Sequence, residues 1–264
     1  MTNETVPEVR GQEVPRGHEA SRIPPMTLEE KIVNTLVPAA VLWRYRAWKA
    51  WSRGESELRL LRYLADPSKT SVDAGANKGV YTYFLSGLCR HVYAYEPNPK
   101  IFGLLRRSVH RPNVTLRAAA LSDVSGEDQL IVPRRKAGYS NQLATLRKDK
   151  FTGEAIEVSV ETRRLDDEDL GQVGFIKIDV EGYERQVLMG GLETLKRHRP
   201  RLLVEIQEAY TKEPIEATLA FICSLGYEGL FMLGGRLMTL SRFDPARHHR
   251  KPAAGAHVYN FIFL

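Results

Sequence analysis

Short apolar runs alternate with helically spaced apolar residues along most of the chain. Lys69 to Asp73 is a short buried strand that enters a glycine-containing turn, and Tyr81 to Leu88 returns to helical spacing. His91 to Glu96 is a second strand, ending on an acid. Pro99 to His110 is a helix with a basic outer face, and Val114 to Ala120 is a third strand. Strand, helix and strand at this rhythm predict βαβ units and therefore a parallel sheet.

Residues 126–163 break the rhythm. Asp128 to Pro133 and Ile156 to Arg163 alternate apolar with polar and predict an antiparallel pair around a long polar loop. A loop of this length inside a compact domain reads as an insertion or lid. The βαβ pattern then resumes with a strand at Gly174–Val180, a helix at Gln186–His198 and a strand at Arg201–Ile206. A helix follows at Ile215–Leu225, with Gly226 as its C-cap, then strands at Tyr227–Leu233 and Val258–Leu264. The sum is a mostly parallel seven-stranded sheet with helices on both faces, an α/β Rossmann-like class.

The N-terminal part divides into a Pro-rich, acidic leader over residues 1–25, expected to be disordered, and a helical segment over 26–67. The main domain covers 68–264. Ser56 to Ala65 has helical spacing of Leu58, Leu61 and Leu64 and stops at Pro67. Ile32 to Trp51 admits two readings. It could be an interfacial helix with Trp43, Trp48 and Trp51 at headgroup level and Arg44, Arg46 and Lys49 on anionic lipid. Alternatively, it packs an apolar stripe on the main domain while its basic stems snorkel, which is the commoner arrangement. Pro38 kinks it or starts a new helix.

Composition narrows the picture modestly. The chain has 264 residues, 43% hydrophobic and 27% charged, with 38 basic against 32 acidic side chains, net +6. These are globular values that exclude a disulfide-dense, collagen-like or wholly disordered chain. A modest basic excess permits anionic partners without demanding them. Cys89 and Cys223 lie far apart without metal spacing, which predicts two buried thiols in a reducing, cytoplasmic compartment. No run of 18 apolar residues occurs, so any membrane contact, through residues 32–53, is peripheral and on the inner face.

Four motifs carry candidate chemistry. Val72-Asp73-Ala74-Gly75-Ala76-Asn77-Lys78-Gly79 follows a strand and opens a helix, so Gly75 and Gly79 allow close approach of a ligand to the backbone. It is not the dinucleotide fingerprint, because Asn77 stands where a second glycine is needed. An acid at Asp73 suits an ammonium group better than a pyrophosphate. Glu96, 21 residues past Gly75 and followed by Pro97 and Asn98, occupies the place where such folds bind ribose hydroxyls. Ser122 and Asp123 leave the third strand, where polar groups could hold an adenine, though a polar turn is expected there anyway. The sharpest motif is Ile176-Lys177-Ile178-Asp179-Val180-Glu181-Gly182-Tyr183-Glu184. A strand buried on both faces should be apolar throughout, so Lys177 and Asp179 are either paired or used. A buried Lys177–Asp179 or Lys177–Glu205 pair is the structural alternative. Asp179, Glu181 and Glu205 could together hold a hard divalent cation through oxygen ligands. No metal site is predicted, and without a histidine nearby zinc is not expected.

The run VDAGANKGVY, the strand end YEPNP, the ALSD turn, RRLDDEDL, IKIDVEGYE with its following LMGG, LLVEI and the closing YNFIFL resemble the FkbM-type methyltransferases over roughly residues 68–264. The resemblance implies a class I methyltransferase fold and S-adenosyl-L-methionine as cofactor. It implies that Asp73, Gly75, Asn77 and Gly79 wrap the methionine end, with Tyr81 beside them. Glu96, with Pro97 and Asn98, would take the ribose, Ser122 and Asp123 would lie near the adenine, and Asp179 beside the sulfonium and the acceptor. The implied reaction is O-methylation of a sugar, glycan, glycolipid or natural-product hydroxyl.

A hydroxyl acceptor needs a general base. Asp179 is the first candidate, then Glu181 or Glu205, and Lys177 if burial lowers its pKa. The loop around Tyr139-Ser140-Asn141, with Arg134, Arg135 and Lys136, is the expected acceptor-binding segment, although a solvated charged loop is the commoner case. His248 and His249 could also touch acceptor. Three other classes share the fold. A nucleic-acid methyltransferase lacks its NPPY or DPPY tetrad here, and no basic stripe with aromatics argues for nucleic acid. A nicotinamide enzyme lacks its glycines. A binding protein without catalysis has no need of Asp179 and Glu96. The oligomeric state is open.

Overall fold

The computed structural model describes residues 23–54, 56–135, 138–139, 144–146, 154–210, 213–252 and 257–264. Residues 1–22 of the predicted leader, Lys136, Ser140 and Asn141 lie outside the described residues, as does the side chain of Arg135. Pro24, at the end of the predicted leader, is buried.

Two helices open the described chain, α1 (Leu28–Leu36) and α2 (Ala39–Arg53). Thr27 caps α1 through a reciprocal pair with Glu30, and Pro38 sits at the start of α2, so the proline begins a second helix. The predicted helix at 56–65 is a 3-10 turn at Ser56–Leu60 followed by α3 (Leu61–Leu64). Then come β1 (Thr70–Ala74), α4 (Val80–Leu85), β2 (His91–Tyr95), α5 (Pro99–Ser108), β3 (Val114–Arg117) and β4 (Ala119–Leu121). The insertion holds β5 (Gly126–Arg135), β6 (Gly138–Tyr139) and β7 (Ala155–Arg163). The remaining elements are β8 (Val173–Ile178), α6 (Glu184–Met189), α7 (Leu192–His198), β9 (Arg201–Glu205), α8 (Ile215–Ser224), β10 (Gly229–Leu233), β11 (Arg236–Thr239) and β12 (Asn260–Phe263).

The main sheet runs β11-β10-β12-β9-β8-β1-β2-β3. The central five strands, β9 to β3, are parallel, whereas β12 is antiparallel to both β9 and β10. The sheet has eight strands, one more than predicted, because the chain after β10 folds back as β11. The turn between them contains Gly234 and Gly235, both at positive φ, which is what a tight hairpin demands. The predicted third strand also splits. Val114–Arg117 joins the main sheet, while Ala119–Leu121 pairs with β7 in a second sheet ordered β4-β7-β5-β6. The antiparallel pair in the insertion forms as expected, with Asp128 opposite Val160 and Pro133 opposite Ala155.

The predicted helix at 186–198 is interrupted between α6 and α7 at Gly190 and Gly191. A Cβ on Gly190 would collide with the backbone carbonyl of Ser122, so the chain breaks where the two segments touch. Cys89 is buried and free. Cys223 is free but only half-buried, because α8 is covered on one side alone.

α2 packs on α4 and α5 through Leu42, Trp43 and Ala47, all buried. The Trp43 indole donates to the carbonyl of Gly79 at 2.7 Å. The packing reading of this segment therefore describes Trp43, while Trp48 and Trp51 stay exposed. No helix among the described residues is long and apolar enough to cross a membrane.

Candidate active site

β1 has β2 on one side and β8 on the other, so the strand order reverses there. Crossovers leave the sheet in opposite directions at such a point and open a crevice at the carboxyl ends of the strands. A cavity of about 330 Å³ lies there, and its lining includes Gly75, Asn77, Glu96, Asp179, Glu181 and Glu205.

The turn after β1 is built on left-handed backbone. Gly75, Asn77 and Gly79 have φ of 77°, 50° and 79°. A Cβ on Gly75 would collide with the carbonyl of Asp179, so the turn and the segment after β8 approach as closely as backbones can. The amide of Asp179 meanwhile donates to the carbonyl of Ala74 at 3.0 Å.

Glu96 leaves the tip of β2 almost wholly buried. Its Oε2 accepts the Asn77 amide at 2.8 Å and its Oε1 accepts the Asn98 amide at 2.9 Å. Each oxygen keeps a further lone pair, so the carboxylate can still accept hydroxyls from a ligand in the crevice. Burial pushes its pKa up to about 7, against the pull of the two amides and with Asp179 and Asp73 adding to the rise. The walls beside it, Pro97, Ala119, Ala120 and Leu121, are apolar and suit a flat ring.

Asp73 is placed behind the crevice and does not line it. It is fully buried, its Oδ2 accepts the Thr82 hydroxyl at 2.6 Å, and Oδ1 has no hydrogen-bond partner. Burial raises its pKa, with the positive charge of Lys177 opposing. The register explains the placement: Asp73 stands opposite Lys177 in the β1–β8 ladder, in the middle of the sheet.

Lys177 is buried and pairs with Asp179 at 2.8 Å, its ammonium 4.7 Å from the centre of the Tyr81 ring. The ion pair weighed for the sheet therefore exists, and its acidic member faces the crevice. Glu205 accepts from the side-chain amide of Gln207. Glu181 differs from both: it has φ 53°, and its Oε2 is buried without a hydrogen-bond partner. Burial pushes its pKa up to about 8, with Asp179, Glu205 and Glu184 adding to the rise and Lys177 opposing.

Asp179, Glu181 and Glu205 line one cavity but do not converge on a point. Among the described residues no group of three or more His, Cys, Asp or Glu side chains is arranged to hold a metal ion. Gly79, Tyr81, Asn98, Ser122, Asp123 and Lys177 stand outside the lining. The lining reaches Leu121 and stops one residue before Ser122, whose hydroxyl donates to Asp123 at 3.1 Å. Tyr139 packs against the core of the insertion. His249 is buried and accepts the Glu208 amide at 3.1 Å, and His248 accepts the Asp244 amide at 3.0 Å. Neither histidine lines the crevice.

Thr145 and Tyr210, which no motif contained, also line the crevice, as does Tyr183 from the acidic motif, to which no role was given. Thr145 comes from the insertion and donates its hydroxyl to the carbonyl of Glu181 at 2.9 Å. Tyr210 follows β9, where the rule that ligands sit beyond strand carboxyl ends would have pointed.

A parallel core of five strands, a β12 inserted antiparallel beside β9, and an acid-tipped crevice at the switch point define a class I methyltransferase fold. The Methyltransferase FkbM domain matches residues 73–228, and the chain belongs to that family. A curated relative, Methyltransferase 1 of Beauveria bassiana (strain ARSEF 2860), is 29% identical over 141 residues. The match covers 45% of this chain and 57% of that relative, so the chain spans little more than half the relative's length. Among solved structures, Methyltransferase FkbM from Methylobacillus flagellatus KT is 18% identical, with TM-score 0.47, over 75% of this chain and 44% of that one. SMU.1697c from Streptococcus mutans, in complex with SAH, is 13% identical, with TM-score 0.45, over 78% of this chain and 94% of that one.

Proposed function

We propose that the protein uses S-adenosyl-L-methionine to methylate a hydroxyl group of a sugar, glycan, glycolipid or natural product. The observation that carries the reading is Glu96: a buried carboxylate fixed by two backbone amides, open to the crevice, 21 residues past a left-handed glycine turn. The same turn argues against nicotinamide dinucleotides. With Asn77 in place of a glycine, and its amide already given to Glu96, little bare backbone is left for a pyrophosphate.

The residues present fit the donor. Glu96 accepts ribose hydroxyls, the apolar wall from Pro97 to Leu121 covers the adenine, and the bare backbone of Gly75 admits the methionine end. When bound, S-adenosylmethionine supplies a methyl group on a positively charged sulfur. Asp179, held by Lys177, presents negative charge at the crevice. Asp73 supports this arrangement from within the sheet through Thr82 and Lys177.

Of the candidate bases, Asp179 is committed to Lys177 and Glu205 to Gln207, whereas Glu181 keeps a free oxygen. We therefore assign proton removal from the acceptor hydroxyl to Glu181. A base titrating near the operating pH is well matched to that task. Orientation of the hydroxyl by Thr145, Tyr183 and Tyr210 supplies much of the remaining rate, since displacement at a sulfonium depends on alignment.

Calorimetry with S-adenosylhomocysteine and with NAD tests the donor site, and binding of NAD alone would remove the reading. Incubation with labelled methyl donor and separate pools of glycans, glycolipids and small metabolites tests the acceptor. Base-stable label in a hydroxyl-bearing pool is expected, whereas label confined to nitrogen or carboxyl groups would overturn the O-methyl assignment.

A further inference from the structure

A second concavity, of about 940 Å³, lies on the outer side of α2, away from the crevice, and shares no lining residue with it. Its apolar floor includes Val41, Tyr45, Trp48 and Trp51 from α2 and Phe84 and Leu88 from α4 and its exit. Trp48 is 59% exposed and Tyr45 54%, which is unusual for two large rings on neighbouring turns. Trp51 leans on Phe84 with ring centres 5.4 Å apart, so the floor is preformed.

Four arginines, Arg44, Arg59, Arg62 and Arg111, also line this groove, and all are exposed. None of them forms an ion pair with a described residue, and no Asp or Glu is among the lining residues. Among the described lining residues the groove is thus apolar at its base, and its charged members are all cationic. The preceding helix adds a second apolar stripe. In α1, Leu28, Ile32 and Leu36 recur every fourth residue, are exposed, and share one helix face.

We propose that this groove and the helices around it dock on an anionic phospholipid bilayer. Tyr45, Trp48 and Trp51 sit at the headgroup level, and the four guanidinium groups hold lipid phosphates. Amphipathic rings beside cations that pair with no described acidic side chain match such a surface on both counts. A second copy of the chain fits poorly, because a two-fold contact through this face sets the arginines against themselves. The surface lies before residue 73, or outside the crevice, and the proposal stands independently of the transfer chemistry. It also revises the residues expected from sequence: Trp43 and Arg46 are turned inward, and Arg59, Arg62 and Arg111 come from elsewhere in the chain.

Co-sedimentation of the full chain with vesicles tests it. Vesicles of phosphatidylcholine alone should leave the protein in solution, and vesicles with about 30 mol % phosphatidylglycerol should carry it down, with a blue shift of tryptophan emission. Raising salt to about 0.5 M should release it. The Arg59→Ala/Arg62→Ala variant should bind about 25-fold more weakly, roughly fivefold for each charge near the surface. Trp48→Ala should reduce the emission shift, leaving the part that Trp51 contributes. Both variants should keep the parent melting temperature, since these side chains are exposed. Failure to sediment with the anionic vesicles overturns the proposal. So does equal sedimentation of the arginine variant. Self-association or RNA binding that depends on these residues, without vesicle binding, overturns it as well. The salt series on the unaltered chain decides the matter even if a variant folds badly.

Discussion

Thr145 donates its hydroxyl to the backbone carbonyl of Glu181 at 2.9 Å, joining the inserted sheet to the acidic motif 36 residues further on. Glu181 needs that support because its φ of 53° lies in left-handed space, which non-glycine residues reach at a cost. Thr145→Val keeps the shape and removes the donor. A lost hydrogen bond of about 1 kcal/mol should lower kcat by roughly five- to tenfold, with donor affinity nearly unchanged. Single-turnover kinetics beside calorimetry separates the two. An equal loss in donor affinity would show that Thr145 shapes the cofactor side instead.

Glu96→Gln puts an NH2 group opposite one of two backbone amides, donor against donor, where both carboxylate oxygens now accept. Charge-assisted bonds of this kind contribute about 1.5–3 kcal/mol, so S-adenosylhomocysteine should bind roughly ten- to a hundredfold more weakly. Calorimetry measures this directly. Unchanged affinity would take the ribose away from Glu96.

Gly75→Ala should be more damaging than any polar change at the site. The new Cβ has no room against the Asp179 carbonyl, and φ of 77° strains any residue with a side chain. Separation of the β1 turn from the segment after β8 should abolish measurable donor binding while circular dichroism keeps its α/β signature. Retained binding would mean that the two segments part without consequence.

Trp43→Phe removes the indole donor that reaches the Gly79 carbonyl and keeps most of the buried ring. The loss, about 1 kcal/mol, should lower the melting temperature by roughly 2–4 °C. Donor affinity should fall too, because Gly79 closes the cofactor turn. A stability loss without any change in affinity would make α2 a structural prop alone.

The strand-end acids were legible in the sequence for a physical reason. Glu96 and Asp179 interrupt runs that are otherwise apolar, and charge at that depth demands a partner or a use. The βαβ rhythm predicts the parallel sheet, whereas the order β9-β8-β1-β2, which brings those acids to one edge, is seen only in the structure. Asp73 was harder. Its neighbours in sequence suggest a crevice residue, whereas the ladder partner Lys177, more than a hundred residues away, draws it under the surface. Thr145 was invisible, because only its bridge to Ile131 in the inserted sheet brings it to the site, whereas Tyr210 was signalled by nothing but its place after β9. The eighth strand was missed because β11 is short and partly exposed, and its signal is two glycines at a hairpin tip.

Glu181 gives the site the upper part of its pH dependence, above the range in which Glu96 titrates. Its folded pKa, pushed up to about 8, lies above the ordinary carboxylate value. The folded chain therefore holds a proton that the unfolded chain has released between about pH 4.5 and 8, and over that window stability falls as pH rises. Above about pH 8 both states are ionised and the dependence levels off. As a base it works only when ionised, so kcat/KM should climb through pH 7 and reach a plateau above about 8. Glu181→Gln should lower the plateau by about a hundredfold or more, within the range general-base catalysis supplies, and should lessen the fall of the melting temperature between pH 5 and 8, leaving the part below about pH 7 that Glu96 contributes. A cationic donor favours the ionised carboxylate, whereas S-adenosylhomocysteine carries no charge on sulfur. Binding of S-adenosylmethionine should thus tighten relative to S-adenosylhomocysteine as pH rises from 6 to about 8, with proton release visible in buffers of different ionisation enthalpy. If Glu181→Gln keeps the plateau rate, another group takes the proton, and the free oxygen of Glu181 serves the donor's charge alone.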